Sequence, residues 1–354
     1  LRLKAAVDDA FAKLGVRIKG WAVARHPPAP EISENGYVGV AGMAWHTETD
    51  TLELKLNDLH FGKAVRGRLN PSTPTFKGSI KDTEAMNKFV PKMLTKRMIT
   101  SKFMGLFDLK GLLIPLTGRF KRDLRDISAT TPQWDHAVDS IGRSAWVRNF
   151  LDVERLKGMK FTRPRMPVDA VNIKMRLWVL VDASKHLIVI WAGVGFKRSN
   201  GQWSIAFLVA RCLLVPRGMS IPRAEMESLV GGSNMMWMLR QILAKWVDSF
   251  ILAGDARVPL FWILSDKQRL SLWHRTRSAQ IRRGTPNEHI YHVTSAANVA
   301  DIPTRPNKCS ISDVGPGSEW EEGRPWMRKE ISTLVREGTL TPISALTNIE
   351  EDDK

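Results

Sequence analysis

Four acidic residues in the second half of the chain each follow an apolar run or open a predicted helix. They are Asp182, Glu225, Asp266 and Asp301. Asp182 ends the apolar run "LWVLV", and a buried carboxylate is costly unless it binds a cation. An aspartate at a strand end is also a common cap or turn residue, so each position alone has an ordinary structural explanation. Taken together, their placement favours a functional site, because open α/β sheets carry functional residues at strand ends and helix starts.

Carboxylates that converge on one point repel each other unless divalent cations neutralise them. Oxygen ligands without a nearby histidine or cysteine pattern favour Mg²⁺ or Mn²⁺ over Zn²⁺. Two such ions about 3.5–4 Å apart can activate a water, stabilise the leaving oxygen and cleave a phosphodiester in line. Glu227 is a near alternative to Glu225, but two residues further along a helix it points about 200° away. The set therefore predicts a two-metal hydrolytic site to which only one of Glu225 and Glu227 contributes.

The elements that position these residues follow from the apolar patterns after residue 170. The predicted order is strand 175–183, strand 187–198, strand 202–216, long helix 221–250, strand 258–265, helix 267–278, strand 289–294 and helix 297–304. Three consecutive strands can form a meander, and the strand–helix–strand step adds a parallel neighbour. The pattern therefore predicts a mixed α/β sheet with flanking helices.

The first half of the chain has a different organisation. A helical pattern is predicted over 1–25 and a hairpin over 35–56, and residues 83–157 are predicted to be mostly helical. Segments rich in proline, glycine and small polar residues, 67–79 and 160–170, are predicted as linkers.

A formal net charge of +17 favours a polyanionic partner, nucleic acid before an acidic membrane surface. The charge is concentrated in 88–125 and 269–284, although a solvated helix face explains either cluster alone. The residues predicted to contact nucleic acid are Arg269, Trp273, Arg275, Arg277, Arg282, Arg283, Lys121, Arg122 and Arg125. Trp273 either stacks on a base or packs in the core.

The composition also excludes several classes of protein. The longest apolar runs, such as 187–196, are too short to span a bilayer. Only two cysteines, Cys212 and Cys309, argue against a disulfide framework or a zinc cluster and for a reducing compartment. We expect an intracellular protein, cytoplasmic and particle-associated or nuclear. Because Leu1 is not an initiator methionine, the chain is interpreted as a piece of a longer protein.

Several motifs resemble the ribonuclease H region of BEL/Pao-type retrotransposon polyproteins. In chain order they are "VLVDAS", "IPRAEMESL", "WILSDKQRLSL" and "YHVTSAANVADIPTRP". Upstream, "GVAGMAWHTETDTLEL", "PQWDHAVD" and "WVRNFL" resemble the segment that joins the polymerase palm to ribonuclease H, and "SDVGPGSEWEEGRPWM" resembles the sequence that leads toward integrase. The resemblance therefore covers nearly the whole chain.

The resemblance implies a ribonuclease H-like α/β fold, a mixed five-stranded sheet with flanking helices, preceded by a mostly helical connection or thumb-like region. The implied segments are the end of the reverse transcriptase palm (1–66), the helical connection (67–165), the ribonuclease H-like domain (170–306) and a tail toward integrase (307–354). The implied activity is cleavage of the RNA strand of RNA–DNA hybrids with two Mg²⁺ or Mn²⁺ ions. The implied partners are the hybrid and the remaining polyprotein segments, and no membrane.

The resemblance also implies the metal ligands as Asp182, Glu225, Asp266 and Asp301, with Glu225 preferred to Glu227 because it fits the family's Pro-Arg-x-Glu spacing. Two departures keep an alternative open. Lys267 follows Asp266 where the family's motif often has serine, and the Tyr-x-Asp-Asp turn of the polymerase palm is absent, since Asp8 and Asp9 lie in a helical pattern. Polymerase activity is therefore not expected. The alternative is a catalytically decayed or co-opted scaffold that binds nucleic acid, and an integrase-like assignment fits the four acidic positions less well.

Overall fold

The computed structural model describes residues 2–15, 18, 20–62, 64–65, 68–70, 72–265, 270–305 and 309–346. The α-helices are α1 Arg2–Lys13, α2 Thr83–Phe89, α3 Lys96–Met104, α4 Ile114–Thr130, α5 Ser140–Arg155, α6 Ile221–Ile242, α7 Arg257–Leu264, α8 Leu272–Gly284, α9 Asp301–Thr304, α10 Glu319–Glu322 and α11 Ile331–Arg336. The strands are β1 Ser33–Glu34, β2 Tyr37–Val40, β3 Met43–His46, β4 Thr51–Leu54, β5 Ala64–Val65, β6 Arg68–Leu69, β7 Lys160–Thr162, β8 Ala170–Ala183, β9 Leu187–Arg198, β10 Trp203–Leu214, β11 Val247–Gly254, β12 Ile290–Val293 and β13 Leu340–Pro342.

The central sheet has the strand order β10-β9-β8-β11-β12-β13. Strands β8, β9 and β10 form an antiparallel meander, β11 pairs parallel with β8, and β12 pairs parallel with β11. These five strands confirm the predicted mixed sheet. A sixth strand, β13, pairs antiparallel with β12, so a segment predicted as part of a tail forms one edge of the sheet.

The fourth strand lies earlier in the chain than predicted. Helix α6 ends at Ile242 and the strand is Val247–Gly254, while most of the predicted strand 258–265 belongs to helix α7. The prediction of a long helix to residue 250 was wrong because short apolar runs fit helix and strand patterns alike. Helix α7 buries Leu260 and Ile263 on one side, and Pro259 lies in its first turn, where the missing N–H is not needed.

The side chains of β8 point alternately to the two faces of the sheet, so the core has one layer on each face. Leu177, Val179 and Val181 belong to the apolar cluster under α6, and α6 comes close to the sheet at Gly232. A Cβ on Gly232 would lie 2.5 Å from Val181 Cγ1, so a larger residue there would force the helix away. Trp178 belongs to the other cluster, on the opposite face of the sheet.

That opposite face is covered by the upstream helices and the C-terminal segment. Phe120 of α4, Trp146 of α5 and Trp320 of α10 belong to the same apolar cluster as Trp178. The indole N–H of Trp320 donates to the Gly111 carbonyl at 3.0 Å. The helical region predicted over 83–157 is thus confirmed as α2 to α5, and it shares one core with the central sheet.

The N-terminal part forms a second sheet with the order β1-β2-β3-β4-β7. The predicted hairpin over 35–56 is a three-stranded meander, because a turn at Ala41–Gly42 divides the first run. Strand β7 lies in the predicted linker 160–170 and pairs with β4. Both cysteines are buried and free, and no helix in the described part of the chain is long and apolar enough to cross a membrane.

Candidate metal centre and nucleic-acid interface

Three carboxylates meet at one edge of the central sheet. Asp182 lies at the end of β8, Asp255 directly follows β11, and Glu225 lies near the start of α6. The parallel register pairs Gly254 with Val181, so the next residue on each strand is one of the two aspartates. One oxygen of each carboxylate lies within 4.8 Å of an oxygen of the other two. The parallel pairing of β8 and β11 therefore creates the cluster.

Glu225 is held against the end of β8 by its own backbone contact. Its Oε2 accepts a hydrogen bond from the Ala183 N–H at 3.1 Å, and its side chain is buried. Pro222 lies in the first turn of α6, where proline suits the helix start. Glu227 points elsewhere and accepts a hydrogen bond from Arg277 Nε at 3.0 Å. The structure therefore places Glu225, and not Glu227, beside Asp182.

Asp301, the fourth predicted carboxylate, opens helix α9 and lies near the cluster. Its charge contributes to the raised pKa values of Asp182 and Glu225. Both of its oxygens are engaged by Arg305, with Nε–Oδ1 and Nη2–Oδ2 distances of 2.7 Å. Asp301 can therefore join a metal site only if it shares its carboxylate with Arg305 or is released from it.

Asp266, the third predicted carboxylate, lies outside the described residues, as does Lys267 beside it. The described residue that follows the fourth strand is Asp255, which the sequence reasoning missed. A signal was present, because "VDA" at 181–183 and "GDA" at 254–256 both place Asp-Ala directly after an apolar run. The predicted helix 221–250 covered the first half of this strand and concealed the signal.

Asn298 is a second residue that the sequence reasoning missed. Its side chain is fully buried, and its Nδ2 donates to the Val181 carbonyl at 2.9 Å and to Asp255 Oδ1 at 3.3 Å. The Ala300 N–H donates to its Oδ1 at 3.1 Å. Asn298 thus links the ends of β8 and β11 to the segment that carries Asp301, and it orients the Asp255 carboxylate.

The electrostatics of the cluster fit a cation site. Burial and the neighbouring charge of Asp255 raise the pKa of Asp182, and burial and the charges of Asp182 and Asp255 raise the pKa of Glu225. None of the described lysine or arginine side chains forms an ion pair with these three carboxylates. A bound divalent cation would remove both the repulsion and the desolvation penalty, and an all-oxygen set suits Mg²⁺ or Mn²⁺.

Without divalent metal, the free energy of unfolding is expected to fall as the pH rises from about 4, the pKa of an unfolded carboxyl, to about 9, the raised pKa of Glu225. The folded form keeps protons on Asp182 and Glu225 that the unfolded chain has released, because both pKa values are raised in the fold. The stability is present below the unfolded pKa and is lost as the pH rises through the raised values. Mg²⁺ should flatten this slope, since it binds the folded, deprotonated cluster. Urea unfolding with chelator and with Mg²⁺ checks this.

The matched control for this prediction is Asp182→Asn. Without metal, it should be more stable than the parent at pH 8, because one buried repulsive charge has been removed, and its unfolding should respond weakly to Mg²⁺. A parent and a variant with the same pH slope and the same response to Mg²⁺ would contradict the account of the cluster.

The predicted nucleic-acid contacts on α4 are engaged within the chain. Lys121 Nζ donates to the Cys212 carbonyl and Arg125 Nη1 to the Val215 carbonyl, each at 2.6 Å. Arg122 forms an ion pair with Asp123 at 2.9 Å. The first two contacts fasten α4 to the end of β10, so part of this basic cluster holds the two halves of the chain together.

The predicted contacts on α8 are divided between packed and exposed side chains. Trp273 packs against the cluster under α6, with the guanidinium groups of Arg223 and Arg277 at 5.4 and 4.8 Å from its ring centroid. Arg282 Nη1 donates to the Ile263 carbonyl at 3.2 Å. Arg275 and Arg283 are exposed, and Arg269 lies outside the described residues. Nucleic-acid contact by this set stays a prediction, and its exposed members are the first to test.

Residues 95–255 match the family model described as the Pao retrotransposon-like RNaseH-like domain. The matched range contains Asp182, Glu225 and Asp255, whereas Asp266 and Asp301 lie beyond its end. No curated protein sequence matches the chain closely enough to count as a relative.

Three solved structures resemble parts of the chain. RNase H1 from the halophilic archaeon Halobacterium salinarum NRC-1 is 14% identical, with 36% of this chain and 90% of that chain covered and a TM-score of 0.25. The foamy viral protease-reverse transcriptase in complex with double-stranded DNA is 8% identical, with 73% and 38% covered and a TM-score of 0.35. LC11-RNase H1, isolated from compost by a metagenomic approach, is 13% identical, with 35% and 84% covered and a TM-score of 0.21.

These TM-scores are too low to carry the fold assignment, which rests on the strand order of the central sheet and on the family match. Both agree with the resemblance seen in the motifs. Residues 95–255 are therefore similar to the Pao retrotransposon-like RNaseH-like domain, and the central sheet has the ribonuclease H-like fold that the resemblance implied.

Proposed function

We propose that this chain cleaves the RNA strand of RNA–DNA hybrids by phosphodiester hydrolysis with two Mg²⁺ or Mn²⁺ ions. The observation that supports this most strongly is the cluster of Asp182, Glu225 and Asp255. Its carboxylates lie together at the edge of a ribonuclease H-like sheet, and two of them have pKa values raised by burial and mutual repulsion. Carboxylates perturbed by burial and by a specific charged neighbour are candidates for a functional site.

In this proposal Asp182, Glu225 and Asp255 hold the metal ions, and Asp301 completes the set when Arg305 releases it. Bound ions would supply an activated water and stabilise the leaving oxygen of the cleaved phosphodiester. The protein holds Asp182 and Asp255 side by side through the pairing of β8 and β11, and Asn298 fixes the second of them. Asp266 remains a proposed ligand from the sequence.

The binding of the hybrid is proposed to involve Arg275 and Arg283, which are exposed on α8, through phosphates and without sequence readout. The remaining parts of the proposal concern the longer protein. Residues 1–66 are proposed as the end of a reverse transcriptase palm, 67–165 as the connection, and 307–354 as the start of a segment toward integrase, within a polyprotein whose other segments are partners.

A second candidate function is binding of nucleic acid without cleavage. The observation that favours it is the ion pair between Asp301 and Arg305, which occupies one predicted ligand. Lys267, which follows Asp266 in the sequence, also favours this candidate function. In this alternative the carboxylate cluster is a remnant and the basic surface alone is functional.

Substrate selectivity separates these two functions. The intact chain is incubated with an end-labelled RNA–DNA hybrid, duplex DNA and duplex RNA, each with Mg²⁺ and with chelator, and binding is measured in parallel by filter retention. The proposed enzyme cuts only the RNA strand of the hybrid and only with metal. Retention of all three duplexes, with no strand cut under any condition, would support the binding protein instead.

A further inference from the structure

A cavity of about 260 Å³ lies in the helical region, between α3, α4, α5 and residues 57–60. Its lining includes the aromatic rings of Phe103, Phe120, Trp146 and Phe150. The rings contact one another, with the centroid of Trp146 at 5.5 Å from Phe150 and 6.4 Å from Phe103. The cavity is separate from the carboxylate cluster, and neither the family match nor the proposed cleavage assigns it a role.

Two buried polar atoms of residues that line this cavity have no hydrogen-bond partner among the described residues. They are the indole Nε1 of Trp146, a donor, and the Oε1 of Glu154, an acceptor. Trp146 is 1% exposed and Glu154 is 7% exposed. The other carboxylate oxygen of Glu154 is paired with Lys157 at 2.8 Å. Buried groups of this kind are normally satisfied, so the N–H of Trp146 lacks an acceptor and the carboxylate of Glu154 lacks a donor.

A positive charge lies at the same cavity. Lys102, which is half-buried, contacts the ring of His60 with its Nζ 3.3 Å from Nδ1 and 3.2 Å from Nε2. Burial lowers the pKa of Lys102, and burial together with the Lys102 charge lowers the pKa of His60. No carboxylate in the described part of the chain forms an ion pair with Lys102. The ammonium group therefore has room for an anionic partner.

We propose that this cavity binds one nucleotide, with its base against the aromatic rings and its phosphate on Lys102. A nucleobase is planar and carries donors and acceptors on the same edge, so it can accept from Trp146 and donate to Glu154. The cavity volume lies just below the range of drug-sized pockets, which suits a single ring system. Stacking of a base on aromatic side chains tolerates any sequence, because every base has a π-face. The nucleotide is either free or an unpaired residue of a bound strand.

Equilibrium dialysis with nucleoside monophosphates, the matching nucleosides and ribose 5-phosphate tests the proposal on the intact chain. Monophosphates should bind more tightly than nucleosides, and ribose 5-phosphate should not bind measurably. Trp146→Phe, which keeps an aromatic ring but removes the N–H, should weaken monophosphate binding about tenfold, the equivalent of one buried hydrogen bond. Lys102→Gln should abolish the difference between monophosphate and nucleoside, whereas the control Lys92→Gln, with the same charge change on an exposed side chain, should not.

The two sources of the nucleotide are distinguished with hairpins. A DNA hairpin with one bulged 2-aminopurine should show a fluorescence change that Trp146→Phe weakens if the source is a strand, and no such change if only free nucleotides bind. Val153→Phe, which fills the cavity, should prevent binding in either case while the unfolding midpoint stays near that of the parent. The proposal is overturned if monophosphates do not bind, or if they bind equally well to Trp146→Phe and Val153→Phe.

Discussion

Asp255→Asn is expected to lower the rate of hybrid cleavage by on the order of 10³-fold or more, the loss of a metal ligand in a two-metal site. Asp255 follows β11 and faces Asp182 across the parallel pairing of Gly254 with Val181. Its carboxylate is one of the three that lie within 4.8 Å of one another. Asparagine keeps the size and the contact to Asn298 but removes the charge. Single-turnover cleavage of a labelled RNA–DNA hybrid at saturating enzyme measures the effect.

Two further variants are needed to interpret the rate of Asp255→Asn. Asp248→Asn changes an exposed carboxylate on the same strand and should leave the rate within a factor of two or so. Asp266→Asn tests the residue that the sequence predicted for the third position. A large loss in Asp266→Asn together with a near-normal rate in Asp255→Asn would show that the motif residue, and not the residue after β11, is the third ligand.

Arg119→Met is expected to destabilise the chain by about 3–5 kcal/mol, the usual cost of removing one partner from a buried ion pair. Arg119 on α4 is 4% exposed, and its guanidinium pairs with Asp152 and donates to Asn149 Oδ1 at 3.0 Å. Its Nη1 also donates to the Cys309 carbonyl at 3.4 Å. The variant retains most of the apolar stem but leaves Asp152 with only Arg155. Urea unfolding followed by tryptophan fluorescence and by circular dichroism measures the loss.

The control is Arg97→Met, because the Arg97–Asp135 ion pair has the same chemistry on an exposed surface. It should change stability little, since exposed pairs are screened by water. The account also predicts one cooperative transition for the parent, because the helical region and the central sheet share a core. Two separate transitions, with Arg119→Met affecting neither or only one of them, would show that the two regions fold independently.

The sequence alone predicts Asp182 and Glu225, because each is positioned by the strand or helix in which it lies. Asp182 ends an apolar strand and Glu225 lies in the first turn of a helix that Pro222 helps to start, and the structure brings both together. The third carboxylate, Asp255, joins them only through the register of β11 against β8. No pattern of neighbouring residues in the sequence predicts that register. The start of β11 fits a helical period as well as a strand, so the predicted helix runs to residue 250 and the next predicted strand, 258–265, leads to Asp266 and not to Asp255.

The other differences have the same physical cause, which is contact between distant parts of the chain. Strand β13 is three residues long and exists only because it pairs with β12. Lys121 and Arg125 carry the charge that the sequence shows, but their partners are carbonyl groups about ninety residues away. Asn298 is one of many polar residues in the sequence, and its role follows only from where Val181 and Asp255 lie in the fold.

The most direct measurement of the central claim is cleavage of a hybrid with labelled RNA by the intact chain and by Asp182→Asn, with Mg²⁺ and with chelator. Asp182 is buried within the cluster. Its charge raises the pKa of Glu225, and the charges of Asp255 and Asp301 raise the pKa of Asp182. The account predicts that the parent cuts the RNA strand only with Mg²⁺, and that the variant binds the hybrid equally well but does not cut it. Hybrid bound by both proteins and cut by neither, or cut equally by both, would contradict it.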